Sequence, residues 1–91
     1  MAERRTIVFS GRVQGVGFRI TVVQFAEGLA LAGTVRNLDE GDVELVVEGS
    51  ARDIDELVQR LGEHFGAFIR NIQQRVSPAS GKTGRGITIS H

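Results

Sequence analysis

The segment Gly11-Arg12-Val13-Gln14-Gly15-Val16-Gly17-Phe18-Arg19 gathers the residue types that can hold a small oxyanion. Three glycines in seven positions, Gly11, Gly15 and Gly17, allow successive backbone N–H groups to turn toward one centre, which suits a tetrahedral group such as phosphate. Arg19 adds a planar guanidinium that can grip two oxygens at once. An apolar strand pattern precedes the glycines and a helical one starts at Phe18, so the loop ends at a helix N-terminus, with its unpaired N–H groups and partial positive charge. A plainer reading competes with this one: a structural tight turn, with Arg19 on a solvated helix face. Two widespread phosphate motifs do not fit. A P-loop needs Gly-Lys-Ser/Thr after its spacer, and the dinucleotide pattern needs glycine where Ile20 stands.

The second segment is Gly33-Thr34-Val35-Arg36-Asn37. With Val35 turned into the core, Asn37 shares its face and is expected near the middle of the sheet, where an amide is costly to bury without partners. Taken alone, Asn37 reads slightly better as a cap on the strand end before the hairpin. Other polar residues carry weaker chemistry. His64 beside Phe65 reads as a rim residue, and His91 at the chain end as disordered. Asp39, Glu40 and Asp42 read as solvated turn carboxylates. No cluster has metal-ligand spacing, so neither metal nor cofactor is expected. The stretch from Lys82 to Gly86 is a weaker candidate for touching the remainder of a substrate.

The elements that must position these residues follow from apolar spacing. Ile7, Phe9 and Val13 share a strand face, with Gly11 leaving room for close backbone approach. Phe18, Val22, Phe25 or Ala26, and Leu29 recur at helical spacing, which predicts a helix to about Ala32 stopped by Gly33. A strand from Val35 to Asn37, a turn over Asp39-Glu40-Gly41-Asp42 and a strand through Val43, Leu45 and Val47 make a hairpin ending at Gly49. Ser50 with Asp53 resembles a capping box, and Ile54, Leu57, Val58, Leu61 and Phe65 form an amphipathic stripe closed by Gly66. Ile69, Ile72 and Val76 anchor an irregular strand. Pro78 and Gly81 to Gly86 make a flexible loop before a short edge strand at Ile87 and Ile89. The expected fold is α+β: a ferredoxin-like βαββαβ sandwich, an antiparallel sheet with two helices on one face and a short final edge strand, in a single domain over residues 1–91.

Bulk properties narrow the function. Ninety-one residues suffice for one domain, and a hydrophobic content of 41% suits a packed core. Eleven Lys+Arg balance eleven Asp+Glu, so a nucleic-acid partner is not expected and any bound anion should be small and caught locally. Without cysteine there is no disulfide, thiolate catalysis or cysteine-ligated metal. The apolar stretch Ile7 to Phe9 is too short for a membrane span or signal peptide, which makes a cytoplasmic monomer the default expectation.

Together the two segments resemble the acylphosphatase family, which joins a Gly-x-Val-Gln-Gly-Val-x-Phe-Arg loop to a Gly-x-Val-x-Asn strand; the eighteen-residue step from Arg19 to Asn37 also fits. Gly41-Asp42-Val43-Glu44 and Gly49 extend the similarity downstream. The resemblance implies hydrolysis of an acyl phosphate to carboxylate and inorganic phosphate, the latter also a competitive ligand. It implies that Gln14, Gly15, Val16, Gly17 and Phe18 bind the phosphate through the loop N–H groups together with Arg19, and that Asn37 orients the attacking water. Four departures stand out. Val22 replaces a frequent threonine, Leu38 a frequent small hydroxyl residue, Ala67 the proline of a common Gly-Pro, and Gly86 an aromatic. The first two motivate an alternative, a phosphate-binding or interaction module with little turnover. The loop also resembles the acylphosphatase-like domain of hydrogenase-maturation carbamoyltransferases, for which carbamoyl phosphate is the expected substrate. Ile20, where those domains typically carry proline, and the 91-residue length favour a free-standing enzyme.

Overall fold

Alternation decides which side of the sheet is covered. In strand β1 (Ala2–Gly11), Arg5, Ile7 and Phe9 are buried while their neighbours are not, and in β3 (Val43–Ser50) the buried set is Val43, Leu45 and Val47. A computed structural model describes residues 2–81 and 86–90 of the chain. The remaining elements are helix α1 (Phe18–Ala26), strand β2 (Ala32–Asn37), helix α2 (Ala51–Phe65), a 3₁₀ turn (Gly66–Phe68), and strands β4 (Ile69–Pro78) and β5 (Gly86–Ile89). The sheet order is β4-β1-β3-β2-β5, and both helices pack into one core cluster with its buried face. Phe18 at the start of α1 lies between Phe9 of β1 and Phe65 of α2, with ring centroids 5.0 and 4.6 Å away. These three rings anchor the helix start that follows the glycine loop.

The α+β ferredoxin-like expectation holds, with one correction: the sheet is mixed. β5 pairs parallel with β2, Ala32 opposite Gly86 and Val35 opposite Ile89, whereas the other three pairings are antiparallel. β4 ends beside the start of β1, since Pro78 lies opposite Glu3, and β1 and β2 run the same way. A strand that enters the far edge from that end of the sheet therefore runs parallel to β2, as β5 does.

Three local expectations also change. Helix α1 stops at Ala26 rather than near Ala32, because Gly28 takes a left-handed conformation (φ 85°) and the N–H of Leu29 bonds the carbonyl of Ala26. The apolar signal beyond belongs to a turn and a strand start, with Leu31 buried there and Gly33 inside β2 opposite Val47. Val76 is 59% exposed rather than an anchor, because at this end of β4 the core-side place opposite it is taken by Arg5. Pro78 closes β4 instead of opening a loop; residues 82–85 and His91, also assigned above to loop and tail, lie outside the described residues.

The capping signal is half right. Ser50 Oγ accepts the N–H of Asp53 at 3.1 Å, but the Asp53 carboxylate accepts the N–H of Ala30 rather than returning to Ser50. Arg5 is buried yet engaged through Nε and Nη1, donating to Glu3, Asp55 and Gln74. Burial opposes its charge, but the hydrogen bonds and negative charges of Asp55 and Glu3 outweigh that and raise the guanidinium pKa.

Candidate active site

The loop between β1 and α1 is held at both ends. Arg12 N–H donates to the Phe68 carbonyl at 2.8 Å, Val13 is buried, and Phe18 is locked in the aromatic core. Between them Gly15 and Gly17 take left-handed conformations (φ 76° and 77°) that a side chain would disfavour. Gly17 caps α1 with no side-chain hydrogen bond, and no acidic residue occupies the first turn. The positive end of the helix is thus not neutralised from within. Thr21 returns both its N–H and its hydroxyl to the Gly17 carbonyl, at 3.0 and 2.8 Å. Among the described residues, no acceptor takes the backbone N–H of Gln14, Gly15, Val16, Gly17 or Phe18.

These groups border a pocket of about 290 Å³. Gly15, Gly17 and Phe18 contribute from the loop and helix start, Arg19 and Ile20 from the first turn of α1, Asn37 from the end of β2, and Ile89 from β5, over a floor that includes Val13. Arg19 and Asn37, eighteen residues apart in the chain, therefore meet at one cavity. Among the described residues Arg19 has no carboxylate partner, so its charge is available to a ligand. Arg12, the other cation of the loop, lies over the Phe68 ring at 5.7 Å and does not line the pocket.

Asn37 departs from the expectation of a buried mid-sheet amide. β5 ends opposite Val35, so Asn37 stands two residues past it at the open end of β2 and is exposed. Its neighbour Arg36 is engaged elsewhere, with Glu44 at 2.9 Å. Of the residues expected to bind substrate, Gly15, Gly17, Phe18 and Arg19 line the pocket and Gln14 and Val16 do not. The Gln14 side chain instead donates to the carbonyls of Leu38 and Asp42 at 2.8 and 2.9 Å. Ile20 and Ile89 line the pocket without a motif that marks them in the sequence. Ile20 is 58% exposed in the first turn of α1, and nothing in its spacing marks it as part of a site.

A larger hollow of about 480 Å³ lies at the other end of α1, against Gly28, Gly86 and Ile87. Glu27 is the one charged residue among the described residues that line it, and its carboxylate disfavours a phosphate. The weak candidate Gly86 sits there, opposite Ala32 and at the far end of β2 from Asn37. His64 is exposed and packs edge-on against Phe25 and Phe65, at the rim as expected.

The sequence compares well with known proteins. The acylphosphatase family model matches residues 5–85. The chain is 45% identical over 80 residues to the acylphosphatase of Paenarthrobacter aurescens (strain TC1), spanning 87% of this chain and 85% of that one. The crystal structure of acylphosphatase from Bacillus subtilis superposes with a TM-score of 0.87 at 32% identity, covering 100% of both chains. A full-length HypF, crystallised in its phosphate- and nucleotide-bound form, matches with a TM-score of 0.83 at 27% identity, but over 12% of that protein's length. With the loop, the guanidinium and the amide brought to one pocket, and this degree of identity over most of its length, the chain belongs to the acylphosphatase family.

Proposed function

We propose that the pocket bounded by the glycine loop, Arg19 and Asn37 is where this acylphosphatase hydrolyses the carboxyl–phosphate bond of acyl phosphates. The observation that carries the reading is the convergence of a guanidinium and loop N–H groups that have no partner among the described residues, together with an amide, on one cavity of about 290 Å³.

The reaction needs positioning and charge stabilisation more than a strong nucleophile, because the carboxylate of a mixed anhydride leaves readily. In phosphoryl transfer those two effects supply most of the acceleration. In the proposed arrangement the N–H groups of Gln14 to Phe18 and the positive end of α1 surround the phosphate, and Arg19 takes two of its oxygens. Asn37 holds a water through its side-chain oxygen on the side away from the acyl group. Water attacks phosphorus, the bond between phosphorus and the bridging oxygen breaks with its electron pair going to the carboxylate, and a water proton passes to a phosphate oxygen. Acyl phosphate dianion plus water then gives carboxylate and dihydrogen phosphate. None of these roles calls for a metal or an organic cofactor.

Identity of 45% to an acylphosphatase over most of both chains, against matches to HypF that span only 12% of that protein's length, supports this reading over a carbamoyl-phosphate-directed domain. The proposal takes residues 1–91 as one acylphosphatase-like domain, acting as a cytoplasmic monomer without a nucleic-acid or membrane partner. No helix among the described residues is long and apolar enough to cross a membrane, and light scattering on the purified protein tests the monomer.

The deciding experiment compares hydrolysis of benzoyl, acetyl and carbamoyl phosphate by the unaltered protein and by Asn37→Ala. We expect turnover of the first two. Asn37→Ala should bind inorganic phosphate normally while kcat falls by roughly 10²-fold, the scale for losing the alignment of a reactant. Phosphate binding without turnover in the unaltered protein would leave a binding module. Carbamoyl phosphate as the sole substrate would favour the other reading.

A further inference from the structure

Gln14 belongs to the loop, yet its side chain turns away from the pocket and reaches across the fold. Both hydrogens of its amide nitrogen are used, one on the Leu38 carbonyl at 2.8 Å and one on the Asp42 carbonyl at 2.9 Å. Those carbonyls form the neck of the turn between β2 and β3. Leu38 N–H already donates to the Asp42 carbonyl at 2.8 Å, and Gly41 N–H donates to the Leu38 carbonyl at 3.2 Å. The amide therefore occupies the second acceptor site of each of these two carbonyls, in a turn that starts immediately after Asn37.

We propose that Gln14 is a positioning residue: its amide ties the phosphate loop to the β2–β3 turn and so sets where Asn37 stands relative to a bound phosphate. This rests on the reading of the pocket as the site of acyl phosphate hydrolysis. The need for such a tie follows from the local backbone. Gly15 and Gly17 give the loop conformational freedom, and Asn37 lies beyond the end of β5 with no side-chain partner among the described residues. Phosphate and water are held by two separate pieces of chain. Among the described residues, the two bonds from Gln14 are the hydrogen bonds that join those pieces. A shift of one piece against the other misaligns the water without emptying the phosphate seat.

The roles separate in a double-mutant cycle. Gln14→Met keeps length and bulk but removes both donors. It is expected to lower kcat for benzoyl phosphate by about 10- to 100-fold, the scale for an ångström of misplacement, and to change the inhibition constant of inorganic phosphate by less than about threefold. Since Gln14 acts through Asn37, adding Gln14→Met to Asn37→Ala should lower kcat by no more than about twofold further. A general loss of structure would instead multiply the two effects. The proposal is overturned if Gln14→Met turns over normally, if it loses phosphate binding in step with kcat, or if the cycle is additive.

Gln14→Glu, also without donors when ionised, is the second arm and should repeat the pattern. If neither variant gives a cooperative unfolding transition, the amide is a folding element and the positioning role is refuted. An unaltered protein inert toward benzoyl phosphate would sink the hydrolase reading itself, whereas an active one with an additive cycle removes only the role given to Gln14.

Discussion

Replacing Arg19 with alanine tests whether its guanidinium exists for a ligand or for the fold. Arg19 is half-buried at the pocket, and no described carboxylate pairs with it. Its removal leaves no orphaned charge, so the melting temperature of the unliganded protein should stay within about 3 °C, as for a surface change without a broken network. Phosphate binding should suffer instead. Charge-assisted hydrogen bonds contribute about 1.5–3 kcal/mol, which weakens phosphate binding about 10- to 150-fold. At a phosphate concentration one hundred times the Kd of the unaltered protein, ligand stabilisation is about 2.7 kcal/mol; with Kd raised about 30-fold it falls to about 0.9 kcal/mol. For a chain of this size, the phosphate-induced rise in Tm would then shrink from about 11–22 °C to about 4–7 °C. Thermal unfolding followed by circular dichroism across a phosphate series, with sulfate in parallel, measures both quantities. Equal protection of the two proteins would refute the assignment of Arg19 to phosphate. A large loss of stability without phosphate would show that the guanidinium is structural.

Three further outcomes follow from the local geometry. Gly17→Ala places a Cβ in open space at φ 77°, so its cost should be the left-handed backbone alone, about 1–2 kcal/mol, and chemical denaturation should show it together with weaker phosphate binding. Gly11→Ala is different, because its Cβ would lie 2.3 Å from the Phe68 carbonyl oxygen. The β1–β4 contact must part there, and we expect at least about 3 kcal/mol of destabilisation in urea unfolding, at the high end for single substitutions. Arg5→Ala removes a guanidinium bonded to Glu3, Asp55 and Gln74. Asp55 is largely exposed and returns to water, so the loss should be about 1–2 kcal/mol, seen in Tm, with phosphate affinity unchanged.

The readable parts of this protein were those governed by near neighbours. The stripe Ile54, Leu57, Leu61 and Phe65, the turn after Asn37 and the cap at Ser50 depend on spacing within one element, and all appear where the residues indicate. The end of α1 is not legible in the sequence because Leu29 and Leu31 continue the apolar rhythm after Gly28 has already turned the chain out of the helix. The exposure of Asn37 is not legible either, because it depends on where its partner strand stops, and β5 is distant along the chain.

By itself the sequence determined the order of elements, the glycine loop ahead of a helix, and the motif that marks the family. Each is written in residues close together along the chain, where backbone geometry and apolar periodicity act directly. Tertiary structure alone decided that β5 runs parallel to β2, that Arg19 and Asn37 border the same cavity, and that the Gln14 amide closes on the turn beyond Asn37. Those relations join segments distant along the chain, and they come about only when burying the helices against one face of the sheet brings its open end and the glycine loop together.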